Sequence, residues 1–191
     1  MSSNEHDFKP IPLEFFRCAA NTPPVSRRQT GDGLEKAACR QYKPRIFIAG
    51  IMQGSRIEKS LHGQDYREKI ADILRTAFVS ADIYDPRAAH KNSPDYSNET
   101  GRETFLRHNR QCGSSVDLLV AYLPEASMGT AIEMWEGWKN GAKIVSISPM
   151  DRNWAVKFLS HRIYPDMAAF EQAAQNGELN QLLESAPGET R

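Results

Sequence analysis

No stretch of the chain is long enough to span a bilayer. The longest apolar run, Val116 to Leu123, falls far short of the roughly 20 residues a membrane helix needs. The opening residues, MSSNEHDFKP, carry neither a basic region nor an apolar one, so no secretory signal is expected. Cysteine is scarce. Cys18, Cys39 and Cys112 form an odd set without CxxC spacing, which excludes a disulfide framework and a cysteine-based zinc site and fits a reducing cytoplasm. His62, His90, His108 and His161 lack metal-ligand spacing as well, so neither a metal nor an organic cofactor is expected. There is no excess charge of either sign: 24 Lys+Arg balance 24 Asp+Glu, which argues against a dedicated nucleic-acid or anionic-membrane binder. Walker-type and GxGxxG phosphate loops are missing too, and no internal repeat is visible.

What the chain does have is a core. Its 191 residues are 40% hydrophobic and 25% charged, the composition of one ordinary folded domain with some extra length. Residues 1–43 hold little periodicity and several breakers, including Pro10, Pro12, Pro23, Pro24, Gly31 and Gly33, and read as an irregular arm. Leu13 to Phe16 is a candidate docking point within that arm, and Arg27-Arg28 reads as solvated surface. The domain is expected over residues 44–187.

Within the domain, apolar runs alternate with helical periodicity. Strands are predicted at Arg45–Gly50, Asp82–Tyr84, Val116–Tyr122, Lys143–Ser148 and Arg162–Tyr164. Helices are predicted at Asp65–Val79, Arg102–Cys112, Met128–Asn140, Trp154–Leu159, Asp166–Gln175 and Glu178–Glu184, with Arg87–Thr100 as a long polar loop. Such alternation calls for an α/β domain with a mostly parallel, doubly wound five-stranded sheet, in its simplest form the flavodoxin-like order 2-1-3-4-5. That order places the first and third strands side by side at the topological switch point, where ligands sit beyond the strand carboxyl ends. Two unusual segments, Gly50–Arg56 and Pro124–Glu133, leave from those ends and should face each other.

In the first loop, Gly50 and Gly54 let backbone approach a ligand closely, and Gln53, Ser55 and Arg56 offer contacts to sugar or phosphate oxygens. In the second, Ser127 suits a helix cap, and Met128-Gly129-Thr130 opens a helix whose free amides attract oxygen-rich ligands. Glu133 lies about one turn in, where the positive dipole end is expected to keep its carboxylate ionised. Beside an anomeric carbon, such a carboxylate can act as a nucleophile or stabilise an oxocarbenium-like transition state.

Three blocks, RIFIAGIMQGSR, FLRHNRQCGSSVDLLVAYLPEASMGTAIE and GAKIVSISP, resemble the nucleoside 2-deoxyribosyltransferase superfamily, which includes the deoxynucleoside 5′-monophosphate N-glycosidases. The resemblance covers about residues 45–150, and its signature is Ser127-x-Gly129-x-x-x-Glu133 after a D-x-x-V-A strand. It implies a flavodoxin-like fold, Glu133 as the nucleophile at C1′, Ser127 as a contact to substrate or its 5′ phosphate, and, with Trp135 and Trp138 as an apolar stripe, a homodimer or larger assembly. The implied substrate is a nucleoside or nucleotide.

The chain departs from the family in two places within these blocks. Asn109 stands where an aspartate usually assists the nucleophile or the leaving base; an amide can orient but cannot deliver a proton, which would leave that task to His108, Asp65 or Asp85. Ile51 and Gln53 replace the serine and arginine of the monophosphate-specific members. Asp85, closing the second strand at the crevice rim, is a further candidate contact for base or ribose. Asp117 reads as a cap for local backbone, Tyr66, Tyr84 and Tyr96 as packing, Arg67-Glu68-Lys69 as a solvated face, and Cys112 as a filler. Two rivals remain open. Gly129-Thr130-x-x-Glu133 matches the end of the GGxGTxxE motif of cytokinin-activating phosphoribohydrolases, without its paired glycines, and Asn109 suits a catalytically silent nucleotide-sensing module.

Overall fold

The computed structural model describes residues 42–57 and 60–185. The expectations for Leu13–Phe16, Arg27-Arg28, Cys18 and Cys39 lie outside the described residues. Five strands form one sheet: β1 (Arg45–Gly50), β2 (Asp82–Tyr84), β3 (Leu118–Tyr122), β4 (Lys143–Ile147) and β5 (Arg162–Tyr164). Their order is β2-β1-β3-β4-β5 and every pairing is parallel, the doubly wound, flavodoxin-like arrangement that the alternation predicts. Around the sheet run α1 (Asp65–Ala77), α2 (Pro86–Ala89), α3 (Asn98–Ser114), α4 (Met128–Lys139), α5 (Trp154–Leu159), α6 (Met167–Gln175) and α7 (Glu178–Glu184).

Both faces of the sheet are covered, which is why the central strands read as continuous apolar runs. On one face Ile46, Ile48, Leu118, Val120, Val145 and Ile147 pack under Ile70 and Leu74 of α1, Phe170 of α6, and Leu179 and Leu182 of α7. On the other, Phe47, Ala49, Leu119, Ala121 and Ile144 meet Cys112 of α3, Met134 of α4 and Val156 of α5. Cys112 is thus the buried filler anticipated for it.

Several boundaries differ from the sequence reading, each for a local reason. The expected loop Arg87–Thr100 is largely ordered into short helical turns. The Asp85 carboxylate accepts the Arg87 amide at 2.9 Å, Pro86 supplies a preset first turn for α2, and a 3-10 turn follows at Ser93–Asp95. Helix α3 begins at Asn98, because the Ser97 hydroxyl accepts the Thr100 amide at 3.2 Å; its polar first turn hides it from hydrophobic periodicity. β3 begins at Leu118 rather than Val116, since the Asp117 carboxylate caps the Arg45 amide at 2.7 Å. α1 stops at Ala77, and Gly141, with φ 88°, closes α4 as anticipated.

Candidate functional site

The two unusual loops meet. After β1 the chain turns through Gly54, whose φ of 59° favours glycine, and returns so that the His62 amide donates to the Met52 carbonyl at 2.7 Å. His62 Nε2 then lies 3.0 Å from Oε1 of Glu125, on the segment between β3 and α4. A Cβ on Gly54 would fall 2.7 Å from Glu125 Oε1 and 2.9 Å from His62 Nε2, so only glycine fits between the loops. From below, Ser148 at the end of β4 donates to the Leu123 carbonyl at 2.7 Å and holds the start of the second loop.

Ser127 caps α4, its hydroxyl accepting from the Thr130 amide at 3.4 Å and the Thr130 hydroxyl at 3.0 Å. Gly54, Ser55, Ser127 and Met128 line one cleft of about 320 Å³, walled by Leu123, Met134, Met150 and Val156. Gln53, Ser55 and Arg56 are exposed, and Arg56 donates to the Leu61 carbonyl at 2.7 Å, so part of its guanidinium already braces its own loop. Met128 is 81% exposed and Gly129 stands open, with nothing within 4 Å of a built Cβ.

Glu133 points to another quarter of the same helix start. That cleft takes the α4 side bearing Ala131 and Met134, while Glu133 is felt electrostatically by Tyr66 of α1 and Cys112 of α3. Below it lies Arg67, 3% exposed. Arg67 donates to the Ile48 carbonyl at 3.1 Å, the Gly50 carbonyl at 3.0 Å, Asp85 at 2.9 Å and Gln64 at 2.8 Å. The expected solvated face is therefore wrong at Arg67, which shares the buried stripe of α1 with Ile70 and Leu74. The signal was present: positions 67, 70 and 74 follow helical spacing. Tyr66 stacks on Tyr122 at 4.1 Å and donates to the Ile51 carbonyl at 2.9 Å. Gly50 admits that ring, since a Cβ there would meet the Tyr66 hydroxyl at 2.5 Å.

This setting changes the electrostatics expected of Glu133. Burial pushes its carboxyl up to about 7, against the opposing pull of Arg67, so desolvation outweighs the helix dipole that was expected to keep it ionised. At neutral pH the carboxyl is therefore divided between its charged and neutral forms, and only the charged form can act as a nucleophile.

The other candidates fall as follows. Asp85 is tied to Arg67 and to the α2 amide through the same oxygen. Asp65 lines a groove toward α6 and α7 with Glu171 and Asn180, away from the crevice. Asn109 donates to the Phe105 carbonyl at 3.0 Å, one turn back in its own helix. Burial and the neighbouring His90, Arg107 and Arg67 push His108 down to about 4, so at neutral pH it is an uncharged imidazole and not a protonated acid. Asp117 sits at the opposite end of the sheet. Trp135 and Trp138 stack on each other at 5.5 Å and remain partly exposed, which rules out the core as their place. Glu125 and Ser148 carry no sequence signal for the site, and His62 and Tyr66 carry only that of a lone imidazole and a packing ring, because only the fold brings them to the loops.

No family model matches the chain, and no curated protein matches it by sequence. Among solved structures, the CMP N-glycosidase BcmB of Clostridium botulinum aligns with a TM-score of 0.41 and 15% identity, over 69% of this chain and 98% of that one. A likeness so distant leaves the chemistry of the site to be judged from its own residues. Among the described residues no helix is long and apolar enough to cross a membrane, and no group of three or more His, Cys, Asp or Glu is placed to hold a metal ion.

Proposed function

We propose that the domain cleaves or exchanges the N-glycosidic bond of a nucleoside or nucleoside 5′-monophosphate, with Glu133 as nucleophile. The observation that carries this reading is a half-buried carboxyl near the start of the switch-point helix, within the field of the buried Arg67, whose charge favours the ionised form. In its ionised form Glu133 attacks C1′, the base departs, and water or an acceptor base resolves the glycosyl ester. The Gly50–Arg56 loop, Ser127, Met128, Gly129 and Asp85 hold the sugar and any 5′ group. Met128, Ile132, Trp135 and Trp138 of α4, with Trp154 and Phe158 of α5, leave apolar surface exposed and supply a face for self-association.

The test is a panel of nucleosides and nucleotides, each with and without an acceptor base, scored for free base. Intact protein should release base, and Glu133→Gln should lower release by roughly 10⁴-fold or more while remaining folded. Turnover retained in Glu133→Gln removes the nucleophile. A second reading, a silent nucleotide-sensing module, draws on Asn109, whose amide is spent on its own helix; binding without release by the intact protein would select it.

A further inference from the structure

The buried guanidinium of Arg67 reaches the first loop at both of its ends. At the near end Nη1 and Nη2 donate to the Ile48 and Gly50 carbonyls, where β1 gives way to the loop. At the far end Arg67 acts through Gln64. Its Nε donates to Gln64 Oε1, and Gln64 Nε2 donates in turn to the His62 carbonyl at 2.8 Å and the Ile51 carbonyl at 3.1 Å. A third arm runs to Asp85, which closes β2 and caps α2. A planar fork of five N–H groups can hold three such directions at once, whereas an ammonium group is a single point charge. Residues 50 and 62 are thereby fixed relative to each other, and with them the segment carrying Gly54, Ser55 and Arg56.

The same group supplies charge. A buried cation needs a counter-ion, and Asp85 meets that need through Oδ1, an oxygen that also accepts the Arg87 amide. Around Glu133 stand Tyr66 and Arg67 of α1, Cys112 of α3 and, one turn along α4, Glu136. Burial keeps the Tyr66 hydroxyl and the Cys112 thiol protonated near neutral pH. Glu136 is occupied by Lys139 at 2.9 Å. Among the described residues, Arg67 is the cation whose charge registers at the Glu133 carboxyl, and it opposes the desolvation that favours the neutral acid.

We infer that Arg67 is the positioning residue of this site: its guanidinium holds both ends of the loop from Gly50 to His62 and supplies the positive charge that a Glu133 carboxylate needs, while Asp85 sets how much of that charge reaches the crevice. The inference rests on the N-glycosidase reading of Glu133. Arg67 touches neither sugar nor base; it acts through the loop and through the carboxyl. Shape and charge can therefore be separated. Removing the charge raises the pH at which Glu133 ionises, and removing the Asp85 counter-charge lowers it. Keeping the charge but changing the shape loosens the loop and leaves the ionisation close to its present value.

The full chain is labelled with carbon-13 at its glutamate carboxyls, the Glu133 signal is identified by its loss in Glu133→Gln, and its titration midpoint is followed by NMR. Arg67→Gln should raise that midpoint by about one pH unit or more. Asp85→Asn, which keeps an oxygen for Arg67 and for the Arg87 amide, should lower it. Arg67→Lys should hold it within about half a unit of wild type, while hydrogen exchange at the His62 amide speeds at least about tenfold. The acid limb of kcat/KM for base release should move with the midpoint in each variant. A midpoint unmoved in Asp85→Asn overturns the charge role, even where Arg67→Gln does not fold. Unaltered exchange in Arg67→Lys overturns the hold on the loop. Either result leaves base release in Glu133→Gln to decide the nucleophile by itself. Midpoints that move as stated in a chain that releases no base remove the nucleophile and leave Arg67 acting on the carboxyl.

Discussion

Against α1, α6 and α7 the sheet presents Ile46, Ile48, Leu118, Val120, Val145 and Ile147; against α3, α4 and α5 it presents Phe47, Ala49, Leu119, Ala121 and Ile144. The first face is built from large aliphatic groups that meet Phe170, Leu179 and Leu182. The second narrows to alanine at the carboxyl ends of β1 and β3, where Ala49 pairs with Ala121. Beside it lie Glu133, Cys112 and buried side-chain atoms of α3 that lack hydrogen-bond partners among the described residues, and its helices leave Trp135, Trp138, Trp154 and Phe158 exposed. Each face keeps its apolar packing away from the crevice and admits charge beside it, Arg67 on the first and Glu133 on the second. Such a division is expected where a site needs desolvated charge that a well-packed core would exclude.

The contrast can be broken most directly in the core. Phe170→Ala on the aliphatic face should cost about 3–5 kcal/mol in denaturant unfolding, whereas Ala121→Gly on the other should cost about 1 kcal/mol or less. Equal losses would mean that the two faces share the stability evenly. The next effect is electrostatic. Glu133 titrates at about 7 in the folded chain against an ordinary 4.5, so the folded state holds the proton more tightly than the unfolded one. Its favourable contribution is full below the unfolded value and is lost as pH rises through the folded one. Between pH 4 and pH 8 the wild-type chain should lose roughly 3 kcal/mol relative to Glu133→Gln, which has no carboxyl to titrate. Parallel stability curves for the two proteins would place Glu133 in water. A smaller effect than that of Phe170→Ala belongs to the loops: Gly54→Ala, strained at φ 59° and crowded by Glu125 and His62, should lose about 1–3 kcal/mol. A neutral outcome would show that the loops do not close on each other.

Much of this architecture is legible in residue order. The apolar runs at Arg45–Gly50 and Lys143–Ile147, the period of α4 and α6, and the Ser127 cap all announce themselves locally, because each depends on neighbours a few positions away. The start of α3 was hidden, since NETG carries no apolar stripe and its order comes from Ser97 and from covering segments. Arg67 was misread for a related reason: charge suggested solvent, whereas the carbonyls of Ile48 and Gly50 and the Asp85 carboxylate were waiting 17 to 19 positions away.

Strand order, helix placement and the approach of the two glycine-bearing loops thus follow from hydrophobic period and turn chemistry, which act over short distances along the chain. Only the folded structure decided how Glu133 titrates, that Arg67 lies beneath the crevice, and that His108 is neutral with an unpaired ring nitrogen. Those properties arise from desolvation and from partners distant in sequence, and both come into being only when the chain is packed.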